Sequence, residues 1–279
     1  MRRAIVLLFV GFCGLILGGG PLFGQFKPEE IAQRPQWEEF LRTAEIVRSE
    51  PAGEGVTKPF VLYLKKGDVE AKAFWKNPRG MMQGFLEGWQ YEIAAYRLDK
   101  LIGLDMVPVA VERSFQGKEG ALSLWAEHKF SLLKAAEENL TMPVSAVQRV
   151  DKGKWLARAW DSLIGNEDRT QQNVLYTDDM RTILIDHSRA FRSGRKFTRR
   201  LMYGADGIKK SAEGKPFLFE HLPRTFIDGI RALTFESIKE AVGDTLTDVE
   251  IRAVLTRRDL LLKEVEANIR AKGEDQVLY

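Results

Sequence analysis

Cysteine is almost absent from this chain: 279 residues contain one, Cys13, and it lies in an apolar stretch near the start. The rest of the sequence can therefore form no internal disulfide and no thiolate-ligated zinc or iron–sulfur site. Histidine is nearly as scarce, and His128, His187 and His221 show no metal-ligand spacing. With no G-x-S-x-G elbow either, zinc-hydrolase and serine-hydrolase readings have nothing to rest on. One-sided charge is missing too. The 42 basic and 39 acidic residues leave +3, and +1 once Arg2 and Arg3, the only charges before Gln25, are set aside. That balance excludes the strongly basic surface of a duplex nucleic-acid binder. No period of roughly 20–50 residues recurs, which excludes solenoids and propellers. What remains, 44% hydrophobic and 29% charged residues, is the composition of an ordinary folded unit and not of a disordered chain.

The one long apolar run, residues 4–20, follows Met1-Arg2-Arg3 and precedes Pro21. This is the order of a secretory signal or of an uncleaved N-terminal anchor. Residues 1–24 are expected to be such a leader, with everything after Gln25 exported and any membrane contact confined to the leader. Cys13 follows Phe12, where lipoprotein processing needs a small side chain, so it reads as an ordinary leader residue.

Beyond the leader, Pro35 predicts a helix over Gln36–Ala44, with Trp37, Phe40, Leu41 and Ala44 on one stripe. Three antiparallel strands are expected at Glu45–Ser49, Pro59–Leu64 and Val69–Lys76, separated by Pro- and Gly-bearing turns. Trp89, Ile93 and Tyr96 then predict a helix over Gly88–Leu101 that stops at Gly103. Val107–Arg113 and Ala121–Ala126 read as two more strands joined by Gln116–Gly120. From about Phe130 the pattern is mainly helical. Leu156, Ala159, Trp160 and Leu163 form a stripe ending at Gly165, and Thr247-Asp248-Val249-Glu250 is a capping box that opens the last helix. One hairpin interrupts the helices, Asn173–Tyr176 and Thr182–Asp186.

The residues that carry chemistry lie on and before that hairpin. Asp168 follows a helix, Asn173 comes five residues later at the start of a strand, and Asp186 ends the return strand. The hairpin brings Asn173 and Asp186 together, with Asp168 nearby. One carboxylate to orient a hydroxyl, with another carboxylate and an amide oxygen to hold magnesium against phosphates, is what phosphoryl transfer requires.

Here the sequence resembles a superfamily: the kinase branch containing the phosphatidylinositol 3- and 4-kinases, the HipA-type kinases and the secreted Golgi casein kinases. Asn166-Glu167-Asp168-Arg169-Thr170-Gln171-Gln172-Asn173 matches the N-x-D-R-[HG]-x-x-N pattern, and Ile185-Asp186-His187-Ser188-Arg189-Ala190-Phe191 matches I-D-x-[GS]-x-x-F, closest to the secreted group. Thr170 departs from the usual His or Gly, and Ser188 from the usual Gly. The resemblance implies an α+β, two-lobed protein-kinase-like fold. A β-rich N-lobe with one helix would span 25–126, and a mainly helical C-lobe with an embedded hairpin 127–279.

By the same resemblance Lys76, in Phe74-Trp75-Lys76-Asn77-Pro78, would grip the nucleotide phosphates, with Lys72 as runner-up, and Glu92, in Glu92-Ile93-Ala94-Ala95-Tyr96, would pair with that lysine. Gly53 and Gly55 would form the turn over the phosphates, and Trp125 and Glu127 would line the adenine pocket. Asp168 would be the catalytic carboxylate, and Asn173 and Asp186 the ligands of Mg2+ or Mn2+. The implied activity is ATP-dependent phosphotransfer to a hydroxyl acceptor, a protein favoured over a lipid or small molecule, with no nucleic-acid partner. Two alternatives stay open: AMP transfer through the same ligands, and a pseudokinase scaffold. The scaffold would bind an acidic partner through Arg189, Arg192, Arg195, Lys196, Arg199 and Arg200. Asn139-Leu140-Thr141 fits a glycosylation acceptor.

Overall fold

A computed structural model describes residues 26–53 and 59–279. The expected leader and Gly55 lie outside the described residues. Two helices come first, α1 (Pro28–Ala32) and α2 (Arg34–Thr43), and α2 buries Phe40 and Leu41. Strands β1 (Glu45–Pro51), β2 (Phe60–Lys66) and β3 (Val69–Lys76) follow. Next come a short hairpin, β4 (Arg79–Met82) and β5 (Phe85–Gly88), and helix α3 (Gln90–Ile102). Strands β6 (Ala110–Phe115) and β7 (Lys118–Leu124) complete an antiparallel sheet of order β1-β2-β3-β7-β6. Packing across this sheet is tight at one point: a Cβ on Gly120 would sit 2.7 Å from both the Lys76 carbonyl oxygen and the Trp75 ring. The glycine lets β7 lie close under the end of β3, where Lys76 leaves the sheet.

The second half is mainly helical. It contains β8 (Phe130–Ser131), α4 (Leu132–Glu137), α5 (Val147–Ile164), β9 (Val174–Tyr176), β10 (Thr182–Leu184) and α6 (Arg195–Arg199). Four helices close the chain: α7 (Arg224–Arg231), α8 (Phe235–Val242), α9 (Asp248–Lys272) and α10 (Glu274–Val277). Leu156, Trp160 and Leu163 of α5 are fully buried, as are Ile251, Val254 and Leu261 of α9. The Thr247 hydroxyl accepts from the Glu250 N–H and the Glu250 side chain returns to the Thr247 N–H, which fixes the start of α9. Among the described residues no helix is long and apolar enough to cross a membrane. The architecture is the α+β, two-lobed one expected.

Several local expectations need correction. The strand expected from Val107 begins at Ala110, because the N–H groups of Met106 and Val107 both donate to Asp99 Oδ2 and Pro108 has none to give. The loop expected over Gln116–Gly120 shrinks to Gln116-Gly117, both at positive φ, a two-residue turn whose twist suits a hairpin. Hairpin β4–β5 was not foreseen at all. Its turn, Gln83-Gly84, has the same composition and the same pair of positive φ angles, so the signal was present in the sequence. Gly88 belongs to β5, and α3 starts two residues later than expected.

The β-rich part carries, beside α3, the helix expected after Pro35 and a short α1 before it that was not expected. α1 and α2 form a strap behind the two lobes. Arg34 is buried and donates to Asp99 (2.9 Å) and Asp105 (2.7 Å), which fastens the strap to the first lobe. Glu30 pairs with Arg181 (2.6 Å), beyond the β9–β10 turn, which fastens it to the second.

Candidate active site

A cleft of about 540 Å³ lies between the lobes, and Lys76, Glu92, Trp125, Asp168, Asn173 and Asp186 line it. Lys76 Nζ is 2.6 Å from Glu92 Oε1 and 2.6 Å from Asp186 Oδ1, and all but about 7% of its side chain is covered. Burial disfavours the ammonium, but the two carboxylates outweigh it and hold Lys76 above the ordinary lysine value. For Asp186 the same contest, burial against Lys76, ends with the carboxyl well below its usual range. Glu92 is also lowered, burial being overcome by Lys76, and its Oε1 accepts the His187 N–H at 2.7 Å. All three groups are therefore charged, and Lys76 is the shared counter-ion.

Lys72 is on the same strand but exposed, 5.8 Å from the Trp125 and Tyr63 rings, and faces a neighbouring depression. Glu127 also lines that depression and not the cleft. The connector bends after Trp125, with His128 Nδ1 2.7 Å from the Ala126 carbonyl oxygen, and Glu127 between them stays solvated. Gly53 (φ 74) sits in an exposed turn outside the cleft lining, to which Pro59 contributes instead.

The segment after α5 is built by its own polar groups. Gly165 takes φ 62 to end the helix, and a Cβ there would meet the Arg257 guanidinium at 2.9 Å. The Asn166 amide donates to Asp161 (3.0 Å) and its oxygen accepts the Asp168 N–H (3.1 Å). Arg169 Nε donates to Asp161 Oδ2 (3.1 Å), while its NH1 reaches the carbonyl oxygens of Asn173 (3.0 Å) and Ile185 (2.6 Å). One buried guanidinium thus joins α5, the Asp168 loop and both arms of the β9–β10 hairpin. Asn173 Nδ2 donates to the Asp168 carbonyl oxygen (3.3 Å), which leaves its Oδ1 for a ligand. Asp186 adopts φ 59, a left-handed conformation that aspartate tolerates and that begins the turn after β10. Asp168 is half-buried, and burial raises its pKa despite the opposing Arg189.

Three neighbours of these residues received no such role from the sequence. Glu87 of β5 is buried, and its Oε1 pairs with Arg189 at 2.8 Å. Arg189 in turn lies 3.1 Å from Asp168 Oδ2. Ser188 Oγ is 2.9 Å from Glu87 Oε2 and 3.1 Å from Asp186 Oδ1, so the departure from glycine places a hydroxyl between two carboxylates. The basic patch of six cations is also corrected. Arg189 and Arg192 are turned inward, Arg192 pairing with Glu167 at 2.5 Å, because the carboxylates of the cleft neutralise them. Arg200 is engaged too, donating to the carbonyl oxygens of Asp206 and Gly207 (2.9 Å each) and pairing with Asp206 (3.3 Å), which leaves Arg195, Lys196 and Arg199 exposed for a partner.

No family model matches the sequence, and no curated protein matches it either. Among solved structures, one described as the crystal structure of the golgi casein kinase superposes with a TM-score of 0.56 at 13% identity, over 88% of this chain and 79% of that one. The likeness covers both lobes and is one of fold: a β-rich part and a mainly helical part with a cleft between them.

Proposed function

We propose that the chain is a phosphotransferase that uses ATP and a divalent cation to modify a hydroxyl acceptor. The observation that carries this reading is the Lys76 ammonium held 2.6 Å from both Glu92 and Asp186, in a cleft that Asp168 and Asn173 also line.

The donor set fits magnesium or manganese. Among the described residues no three acidic, histidine or cysteine side chains gather into a closed metal cage. One carboxylate and one amide oxygen suit a hard cation that takes its remaining ligands from phosphates and water. Asp186 and Asn173 Oδ1 would hold that ion, which would supply neutralisation of phosphate charge. Lys76 adds a fixed positive charge beside the phosphates, and Glu92 keeps it from collapsing fully onto Asp186. Trp125 offers an aromatic wall for the adenine. Asp168 accepts the proton of the acceptor hydroxyl as that oxygen bonds to the γ-phosphorus and the bond to the ADP oxygen breaks. The acceptor class favoured is a protein hydroxyl. The scaffold reading is weakened by the inward turn of Arg189 and Arg192.

The test is a thermal-shift titration with ATP, with and without Mg2+ or Mn2+, on wild type, Asp186→Ala and Asp168→Asn. Wild type and Asp168→Asn are expected to be stabilised by ATP and metal together, and Asp186→Ala is not. Label transfer from γ-labelled ATP should fall by about 10²–10⁴-fold in Asp168→Asn, the usual worth of a positioned base. Label from α-labelled ATP in the product would mean AMP transfer instead. The charged start and apolar run of residues 1–24 support export as part of the proposal. A reporter that is active only outside the cytoplasm, fused after Tyr279, tests it, and an expressed but silent fusion refutes it.

A further inference from the structure

Hairpin β4–β5 touches the loop that carries Asp168 at two matched points, each through an arginine that follows Asp186. Glu87 pairs with Arg189 (2.8 Å), which pairs with Asp168 (3.1 Å). The Leu86 carbonyl oxygen accepts from Arg192, which pairs with Glu167 (2.5 Å). Two adjacent residues of the hairpin thus reach two adjacent acidic residues of the loop, across the mouth of the cleft.

We propose that Arg189 and Glu87 are positioning residues for Asp168, a role that rests on the phosphotransfer reading above. An aspartate on a loop has no intrinsic reason to hold one rotamer. Here Arg189 engages Oδ2 alone, and among the described residues Asp168 Oδ1 accepts no hydrogen bond. The carboxylate is therefore fixed by one oxygen and presents the other to the acceptor hydroxyl. Arg189 is itself immobilised: its Nε donates to Glu87 Oε1 (2.9 Å), its guanidinium lies 4.3 Å from the Phe85 ring centre, and about 14% of its side chain is exposed. Glu87 is more deeply covered still, at about 3%, and Ser188 occupies its second oxygen. A base oriented by a third group is the general arrangement for a proton acceptor that must not swing. In this chain that third group, Arg189, is itself held by Glu87 of the other lobe, so Asp168 is in register only while the hairpin is seated.

The experiment measures ATP hydrolysis by the full chain, with water as the acceptor, for wild type, Arg189→Ala, Arg189→Lys and Glu87→Gln. ATP binding is measured in parallel by calorimetry. Arg189→Ala is expected to lower kcat by about 10–100-fold, the cost of a displaced catalytic group, with KM for ATP changed by no more than about twofold. Arg189→Lys retains part of the rate, and Glu87→Gln falls between wild type and Arg189→Ala. Ethylguanidinium in the buffer should restore Arg189→Ala and leave wild type and Asp168→Asn unchanged. Loss of ATP binding together with rate, or a loss that ethylguanidinium does not relieve, would mean a structural role and overturns the proposal. A wild-type kcat in a folded, ATP-binding Arg189→Ala overturns it equally. Failure of the wild type to bind ATP, or to pass the γ-label either to water or to a protein hydroxyl, is a different result: it refutes the phosphotransfer reading and this inference with it.

Discussion

Lys76 and Lys72 differ by four residues on one strand, and their surroundings decide between them. Lys76 is buried between two carboxylates, whereas Lys72 is exposed beside two rings. Lys76→Met is expected to leave Asp186 and Glu92 facing each other without their cation, and to weaken ATP binding by at least about tenfold, since breaking a buried pair costs several kcal/mol. Lys72→Met should stay within about twofold of wild type, as exposed charges contribute little. Calorimetric titration with ATP and magnesium checks both, and equal losses would mean that the third strand is misassigned. The Lys76–Glu92 pair was legible through the family resemblance, which puts a lysine at the end of a strand and its acidic partner in the helix that follows. Glu87 was not: its partners Ser188 and Arg189 are 101 and 102 residues away, and nothing local marks a glutamate that a distant arginine will cover. Ser188 was visible only as a departure from glycine, and its use between Glu87 and Asp186 depends on the folded turn.

At the scale of elements, α2 is held to the first lobe by Arg34 reaching Asp99, a carboxylate with no solvent exposure. Burial pushes the Asp99 carboxyl up from 3.8 to about 7, with Arg34 opposing. The sign follows from the direction: the folded chain binds this proton more tightly than the unfolded chain. Its stabilising contribution is therefore present in full below pH 3.8 and is lost as the pH rises through about 7. Urea unfolding of wild type should show this fall between those values, superimposed on the other titrations, and Asp99→Asn should remove it. A pH slope that is identical in the two would mean that Asp99 is ionised throughout. Arg34→Met removes the cation that opposes burial, so the Asp99 carboxyl is expected to move further up and the fall in stability to shift to higher pH in the same urea series. The helices and most strands were readable from stripes, glycine stops and the Thr247 capping box. The β4–β5 hairpin was passed over because its apolar residues stand in adjacent pairs, Met81-Met82 and Phe85-Leu86, and do not alternate as a half-buried strand's do, although its Gln83-Gly84 turn was there to be read.

At the scale of the whole molecule, the two lobes are joined at the back by the α1–α2 strap and at the front by Glu87 and Leu86 through the two arginines. The order of lobes was legible in the order of strands and helices. The fastenings were not, because each is an ion pair or a hydrogen bond between distant parts of the chain. The Glu30–Arg181 pair at the back is half exposed on the glutamate side, so Glu30→Gln should change global stability by less than about 1 kcal/mol. It should nonetheless speed amide exchange in α1 while α3 keeps its protection, measured by hydrogen exchange at neutral pH. Unchanged exchange in α1 would show that other contacts seat the strap. Glu30 and Arg181 are 151 residues apart, which bears on how the protein is made. A chain that grows from its N-terminus at about 5–20 residues per second presents its first lobe, with the strap already held to it by Arg34, long before Arg181 emerges to tie that strap to the second lobe. For that interval, on the order of ten seconds, Glu30 of α1 has no Arg181 to pair with, and the same delay applies to the Arg189 and Arg192 fastenings at the front. The cleft is therefore completed late and from both sides, and in a nascent chain stalled before Arg181 the amides of α1 and of the β4–β5 hairpin should exchange faster than they do in the finished protein.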